Sequence, residues 1–396
     1  MIPVAIIFDN FGPYHIARLQ AASADWNLLA IEAAGVSAVY AWEKNSTAGT
    51  FRRVTLVEQG TSEGVGRSEL VGRLERVLDE FGPGVVVVPG WASPAAWGAM
   101  DWCARRGVPM VCMSESTEWD EPRTGWKEWI KRRLVGLFSS ALVGGKRHSD
   151  YLTKLGMPAE RIFMGYDAVD NRFFSEKAKE IGACGGEARR KHGLPEDYFL
   201  ASARFVEKKN LPRLLEAYAL YRGSCETPWP LALLGDGLLR GALESQLGAL
   251  GLRDHVMMPG FKQVSDLPAY YALAGAFIHP STVEPWGLVV NEAMASGLPV
   301  LVSNRCGCVP ELVSEGVNGF TFDPLNVKEL AQKMAQVSAP GFPRTVFGAK
   351  SSEIVAEWGC ERFARGLSEA IEVALAGPPV VSTRLDRALP RVLKHR

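Results

Sequence analysis

A short apolar run ending in His279-Pro280, a Pro285-Trp286-Gly287 turn and a helical period from Leu288 to Ala295 follow one another without a break. A buried strand that hands over to a helix through a tight turn is the repeating step of a parallel sheet, because parallel strands need a crossover and the crossover is usually a helix. The turn falls at the strand's carboxyl end, where open α/β sheets bind their ligands. The helix start leaves unpaired backbone N–H groups near Gly287, Leu288 and Val289, which with the positive end of the helix dipole suit an anion such as a phosphate. Two acids bracket the turn, Glu284 in the loop and Glu292 in the helix, so both carboxylates can face one crevice. An ionised carboxylate accepts hydrogen bonds from two neighbouring hydroxyls, which suits a ribose or a hexose.

The same step recurs along the whole chain. Val4–Phe8 reads as a strand, and a turn through Gly12 leads into a helix from about Tyr14; His15 either reaches a ligand cleft from there or serves as a packed or capping imidazole. Strands near 28–31, 54–57, 85–88, 110–113 and 141–143 alternate with helical periods, and the polar stretch Ser114-Glu115 follows one strand at its carboxyl edge. A second alternation begins at Phe199. Arg204 and Lys209 flank the end of its first strand and can converge on one anion, and strands near 231–234, 255–258 and 276–279 follow. This pattern gives an α/β fold with a mainly parallel sheet in each half. The expected division is a domain over 1–174, a linker over 175–194, a domain over 195–360, a helix over 361–376 and a flexible basic tail over 377–396.

A chain of 396 residues is comfortable for two domains of ordinary size. Its 44 basic and 44 acidic residues leave no net charge and so no global attraction to nucleic acid. Seven cysteines, with no leader pattern at the N-terminus, point to reduced thiols and a cytoplasmic protein. The Cys306-x-Cys308 pair lacks a second ligand pair, so no metal site is expected there. No apolar run approaches the roughly 20 residues of a membrane span. Trp126–Leu134 combines two tryptophans with four cations: either its tryptophans fill the core and its cations face water, or the face lies on an anionic membrane.

Glu284-x7-Glu292, the following Ala295-Ser296-Gly297-Leu298-Pro299-Val300, Val309-Pro310-Glu311-Leu312 and the Gly319–Pro324 run together resemble the donor-binding segment of retaining family 4 glycosyltransferases of the GT-B fold. The resemblance implies two Rossmann-like domains facing across a cleft, with the last helix crossing back to the first domain. It makes Arg204 and Lys209 the cations that bind the donor diphosphate, with Ala203 where the family has glycine. Glu292 would hold the ribose hydroxyls and Glu284 the 3- or 4-hydroxyl of the sugar, with the Trp286, Gly287, Leu288 and Val289 backbone on the phosphates. Asp236 lies in the family's Gly-Asp-Gly turn, and Gly260, Phe261 and Lys262 form the loop that reads the base. In the first half, the loop at Gly12 and His15 would help hold acceptor and phosphates. Ser114 and Glu115 stand where many members place a histidine and an acid against the donor sugar.

The implied activity is retaining transfer of a sugar from a UDP- or GDP-linked donor to a hydroxyl of a glycan or lipid-linked acceptor, in polysaccharide assembly. With no Asp-x-Asp motif in the right context, the site is expected to need neither metal nor cofactor, Arg204, Lys209 and the amides after Trp286 supplying the positive potential. Peripheral attachment to the inner membrane face goes with this expectation. Two other readings remain: a nucleotide-sugar epimerase or phosphorylase on the same architecture, and a non-catalytic nucleotide-sugar-binding partner.

Overall fold

A computed structural model describes residues 1–35, 50–378, 380 and 382–394. They form two compact units, Met1–Ala168 with Cys360–Arg396, and Val169–Gly359.

The first unit runs β1 (Pro3–Phe8), α1 (Pro13–Ala22), β2 (Asn27–Glu32), β3 (Arg52–Thr55), α2 (Arg67–Phe81), β4 (Val85–Pro89), α3 (Pro94–Arg106), β5 (Met110–Ser114), α4 (Gly125–Val135), β6 (Ser140–Val143), α5 (Lys146–Lys154) and β7 (Ile162–Met164). Its strands lie in the order β3-β2-β1-β4-β5-β6-β7, all parallel. Parallel strands are covered on both faces, which is why β1 and β4 read as unbroken runs of buried valine, isoleucine and alanine.

The second unit runs α6 (Asn171–Ala183), α7 (Gly185–His192), β8 (Phe199–Ser202), α8 (Leu211–Ser224), β9 (Leu231–Leu234), α9 (Arg240–Ala249), β10 (Val256–Gly260), α10 (Leu267–Ala272), β11 (Ala276–His279), α11 (Leu288–Ala295), β12 (Val300–Ser303), α12 (Val309–Leu312), β13 (Gly319–Phe322), α13 (Val327–Ser338) and α14 (Arg344–Ala356). Its parallel strand order is β10-β9-β8-β11-β12-β13. Counted within the unit this is 3-2-1-4-5-6, the doubly wound order of nucleotide-binding sheets, whose direction of winding reverses between β8 and β11.

The chain then returns to the first unit as α15 (Cys360–Ala376) and α16 (Arg384–Leu393). Phe363, Leu367, Ala370, Ile371 and Ala374 form one buried stripe of α15, which packs on α1, β6 and β7.

Three boundaries differ from the sequence reading. The stretch 175–194 is not a linker: it is taken up by α6 and α7, and α6 packs on α10 and α11 inside the second unit. Phe174 anchors α6 edge-on to Tyr271, a long-range contact that the stretch's polarity concealed. The units divide after Ala168 and after Gly359 rather than at 174 and 360. The tail is not a free basic segment over its described part. Thr383 caps α16, Leu389 and Leu393 pack against the first unit's core, and Lys394 donates to buried Asp101 at 2.7 Å. The interior Pro390 masked this helix in the sequence, and its cations are matched by acids of α2 and α3. Pro379, Val381, His395 and Arg396 of that tail lie outside the described residues.

Candidate active site in the second unit

β8 and β11 flank the winding reversal, so the loops leaving their carboxyl ends, 203–210 and 280–287, open side by side. Asn210 ties them together. It holds the left-handed conformation at φ 56°, which asparagine tolerates better than most residues, and its Nδ2 donates to Pro280 O at 3.1 Å and to Pro324 O at 2.8 Å. Thr282 N adds a bond to Lys208 O at 2.9 Å. The adjoining Lys209 is thereby carried onto Glu284, and the two side chains form an ion pair in which each is little exposed, 12% and 11%.

Glu284 is the electrostatic centre of this arrangement. Its Oε2 receives Lys209 Nζ, His279 Nε2 at 2.9 Å and Ser281 Oγ at 3.2 Å. Burial alone would raise its pKa, but the Lys209 charge and the His279 hydrogen bond outweigh burial and hold the carboxyl below its ordinary value. The magnitudes agree with that sign. A buried ion costs several kcal/mol, and each charge-assisted hydrogen bond returns about 1.5–3 kcal/mol. His279 is wholly buried at the end of β11, and that burial, together with the Lys209 charge, pulls its pKa down despite the opposing pull of Glu284.

Gly287 opens α11 at φ 108° and ψ 62°, a conformation open to glycine and strained for other residues. A Cβ there would meet Glu284 Cγ at 3.5 Å and His279 Nε2 at 3.6 Å. The first-turn amides of Leu288 and Val289 precede any i−4 carbonyl of the helix and stand at its positive end. Trp286 behaves differently from a ligand-facing side chain. The residue is 1% exposed, and its indole donates to Asn291 Oδ1 at 2.9 Å and packs on Trp358. Glu292 is also buried at 1%, and the Tyr271 hydroxyl donates to its Oε2 at 2.7 Å. Tyr271 belongs to α10, whereas Lys209 and His279 on Glu284 come from the loop after β8 and the end of β11.

Arg204 stands in the loop just beyond β8, half-buried. The neighbouring backbone is packed tightly: a Cβ on Gly235 would lie 1.9 Å from Ala203 O. Asp236 accepts from Gly237 N at 2.7 Å and pairs with Arg240 at 3.4 Å on the surface. Gly260 ends β10, the Phe261 ring is 38% exposed, and Lys262 lies over the Tyr270 ring.

The remaining candidates belong to the first unit. Gly12 N donates to His15 Nδ1 at 2.9 Å, and the imidazole packs on the Phe8 ring. Burial, and secondarily Arg18, lowers its pKa to about 3, so His15 is a neutral, packed capping group. Ser114 closes β5 with its Oγ accepting from Ser116 N at 3.2 Å, while Glu115 is exposed at the sheet's carboxyl edge. Among the described residues no group of three or more His, Cys, Asp or Glu is placed to hold a metal ion.

Four contributors were not singled out from the sequence: Asn210, Tyr271, His279 and Ser281. His279 carried the clearest signal, a lone polar residue ending a buried apolar strand five positions before an acid. Tyr271 carried none, since its contact to Glu292 spans 21 residues.

The family model for glycosyl transferases group 1 matches residues 186–354. The chain is 29% identical over 243 residues to α-D-kanosaminyltransferase of Streptomyces kanamyceticus, covering 58% of this chain and 61% of that protein. It is 28% identical over 196 residues to the GDP-mannose-dependent α-(1-6)-phosphatidylinositol monomannoside mannosyltransferase of Mycobacterium tuberculosis, covering 47% of this chain and 50% of that one. The chain thus spans between half and about three fifths of the length of these relatives. Among solved structures, Anabaena HepE in complex with UDP-glucose superposes with a TM-score of 0.74 at 18% identity, covering 94% of this chain and 100% of that one. The segment 186–354 is thus similar to the group 1 glycosyl transferases, and the chain has the GT-B fold.

Proposed function

We propose that this protein moves a sugar, with retention of anomeric configuration and without a metal ion, from a nucleoside-diphosphate sugar to a hydroxyl of a glycan or lipid-linked acceptor. The observation that carries the reading is the Lys209–Glu284 pair beside Gly287 and the start of α11, at the point where the sheet reverses its winding. Each part has a task in diphosphate departure. Lys209 and the first-turn amides of α11 meet the negative charge that develops on the leaving phosphate, with Arg204 at the neighbouring loop. Glu284 accepts from a hydroxyl of the sugar, and Glu292 from the ribose once Tyr271 shares it. The nucleoside diphosphate is UDP or GDP: HepE was solved with UDP-glucose, and the mycobacterial relative is named for GDP-mannose.

The acceptor is read as lipid-linked, with peripheral membrane attachment, because α4 turns its tryptophans outward. Trp126 is 65% and Trp129 47% exposed, and Trp119 in the loop before them is 65% exposed. That outcome overturns core packing of the α4 tryptophans, one of the two readings of the sequence. No helix among the described residues is long and apolar enough to cross a membrane.

The test is sugar release from UDP-glucose and GDP-mannose by the protein and by Lys209→Ala. Loss of one oxyanion donor costs on the order of 100-fold in turnover. Turnover by Lys209→Ala equal to the parent's would remove the phosphate role.

A further inference from the structure

Glu284 has two carboxylate oxygens, and the structure treats them unequally. Lys209 Nζ, His279 Nε2 and Ser281 Oγ all converge on Oε2, while Oε1 takes no hydrogen bond among the described residues. Two of the three donors are themselves buried, His279 and Ser281 each at 0% exposure.

The tautomer of His279 follows from its surroundings. The ring is buried and neutral, so it carries one N–H. Nδ1 is buried without a hydrogen-bond partner, and Nε2 lies 2.9 Å from a carboxylate oxygen. A proton on Nδ1 would leave a buried donor unmade and set the Nε2 lone pair against an anion, two penalties at once. A proton on Nε2 removes both, leaving only an acceptor lone pair unused. His279 therefore donates through Nε2 to Glu284.

We infer that His279 is a positioning residue for the donor sugar: its Nε2–H fixes the Glu284 carboxylate through Oε2 and leaves Oε1 turned out as the acceptor for a sugar hydroxyl. His279 itself touches no substrate. The inference rests on the proposed function, since it gives Glu284 the sugar. It sets sugar recognition apart from nucleotide recognition, because a nucleoside diphosphate without its sugar has nothing to offer Oε1.

Three measurements decide it. Binding of UDP, UDP-glucose, GDP and GDP-mannose is compared in the parent, in His279→Met, which keeps the length of the side chain without a donor, and in His279→Gln, whose amide N–H reaches as far as Nε2. The expected result in His279→Met is a loss of about 10-fold or more for the nucleotide sugar, with nucleoside diphosphate affinity unchanged, and recovery to within a few-fold in His279→Gln. Equal losses for nucleotide and nucleotide sugar, or a Gln variant no better than Met, would overturn the inference and make His279 a packing residue. Failure of the parent to bind any of the four would instead sink the proposed function. Should His279→Met not fold, imidazole nitrogen NMR of the parent reports the tautomer directly: a proton on Nε2 supports the inference and a proton on Nδ1 overturns it.

Discussion

At the scale of single residues, the site is governed by one carboxylate whose charge is held by its neighbours. The pKa of Glu284 in the folded protein lies below the ordinary 4.5, so its contribution to stability is fully present above that pH and is lost as pH falls toward the folded value. Glu284→Gln should therefore be destabilised at pH 7, and its deficit should shrink below pH 4.5 by at most about 1.4 kcal/mol per pH unit. Urea unfolding of both proteins between pH 7 and pH 3.5 measures this, and a deficit independent of pH would refute the electrostatic origin. Glu284, Lys209 and Gly287 were legible in the sequence because spacing places them at strand ends and a helix start. Spacing alone does not say whether the Trp286 indole turns toward ligand or core, and here Asn291 and Trp358 hold it inside. Asn210 works through contacts to groups brought near only by the fold, whereas His279 stands five residues before the acid it meets.

At the scale of elements, alternation of strands and helices was legible almost throughout, because buried parallel strands leave runs of aliphatic residues that few other elements leave. The misreadings came where an element's partner is distant. α6 and α7 look polar until Tyr271 and Leu273 lie beside them, and α16 looks broken until α3 offers Asp101. α4 errs the other way: its period fits a buried face, yet Leu134 and Val135 carry its buried side while Trp126 and Trp129 stand in solvent beside Lys127 and Arg133. Tryptophan and cations on one helix face favour a membrane interface. The protein is expected to sediment with anionic vesicles at low salt, and the Trp126→Ala/Trp129→Ala double variant to remain in the supernatant. Sedimentation of both proteins alike would assign the attachment elsewhere, and of neither would end the membrane reading.

At the scale of the whole molecule, two doubly wound units are built from one rule, a ligand edge at the carboxyl ends of a parallel sheet, and at that edge of the second unit Lys209 and Glu284 form an ion pair. The zero net charge gives no long-range pull on a nucleotide, so its diphosphate must be recognised by local groups. In the proposed function those groups are the cation of Lys209 and the start of α11. The most direct measurement is thermal unfolding of the protein and of Lys209→Ala with UDP, GDP and ADP, without added metal. A nucleotide at about 100 times its dissociation constant stabilises the folded state by roughly 2.7 kcal/mol, and for a chain of this length that moves the midpoint by a few degrees. A rise with UDP or GDP that shrinks in Lys209→Ala is the predicted result, whereas no rise with any of the three nucleotides would contradict a nucleoside-diphosphate site at Lys209 and Glu284.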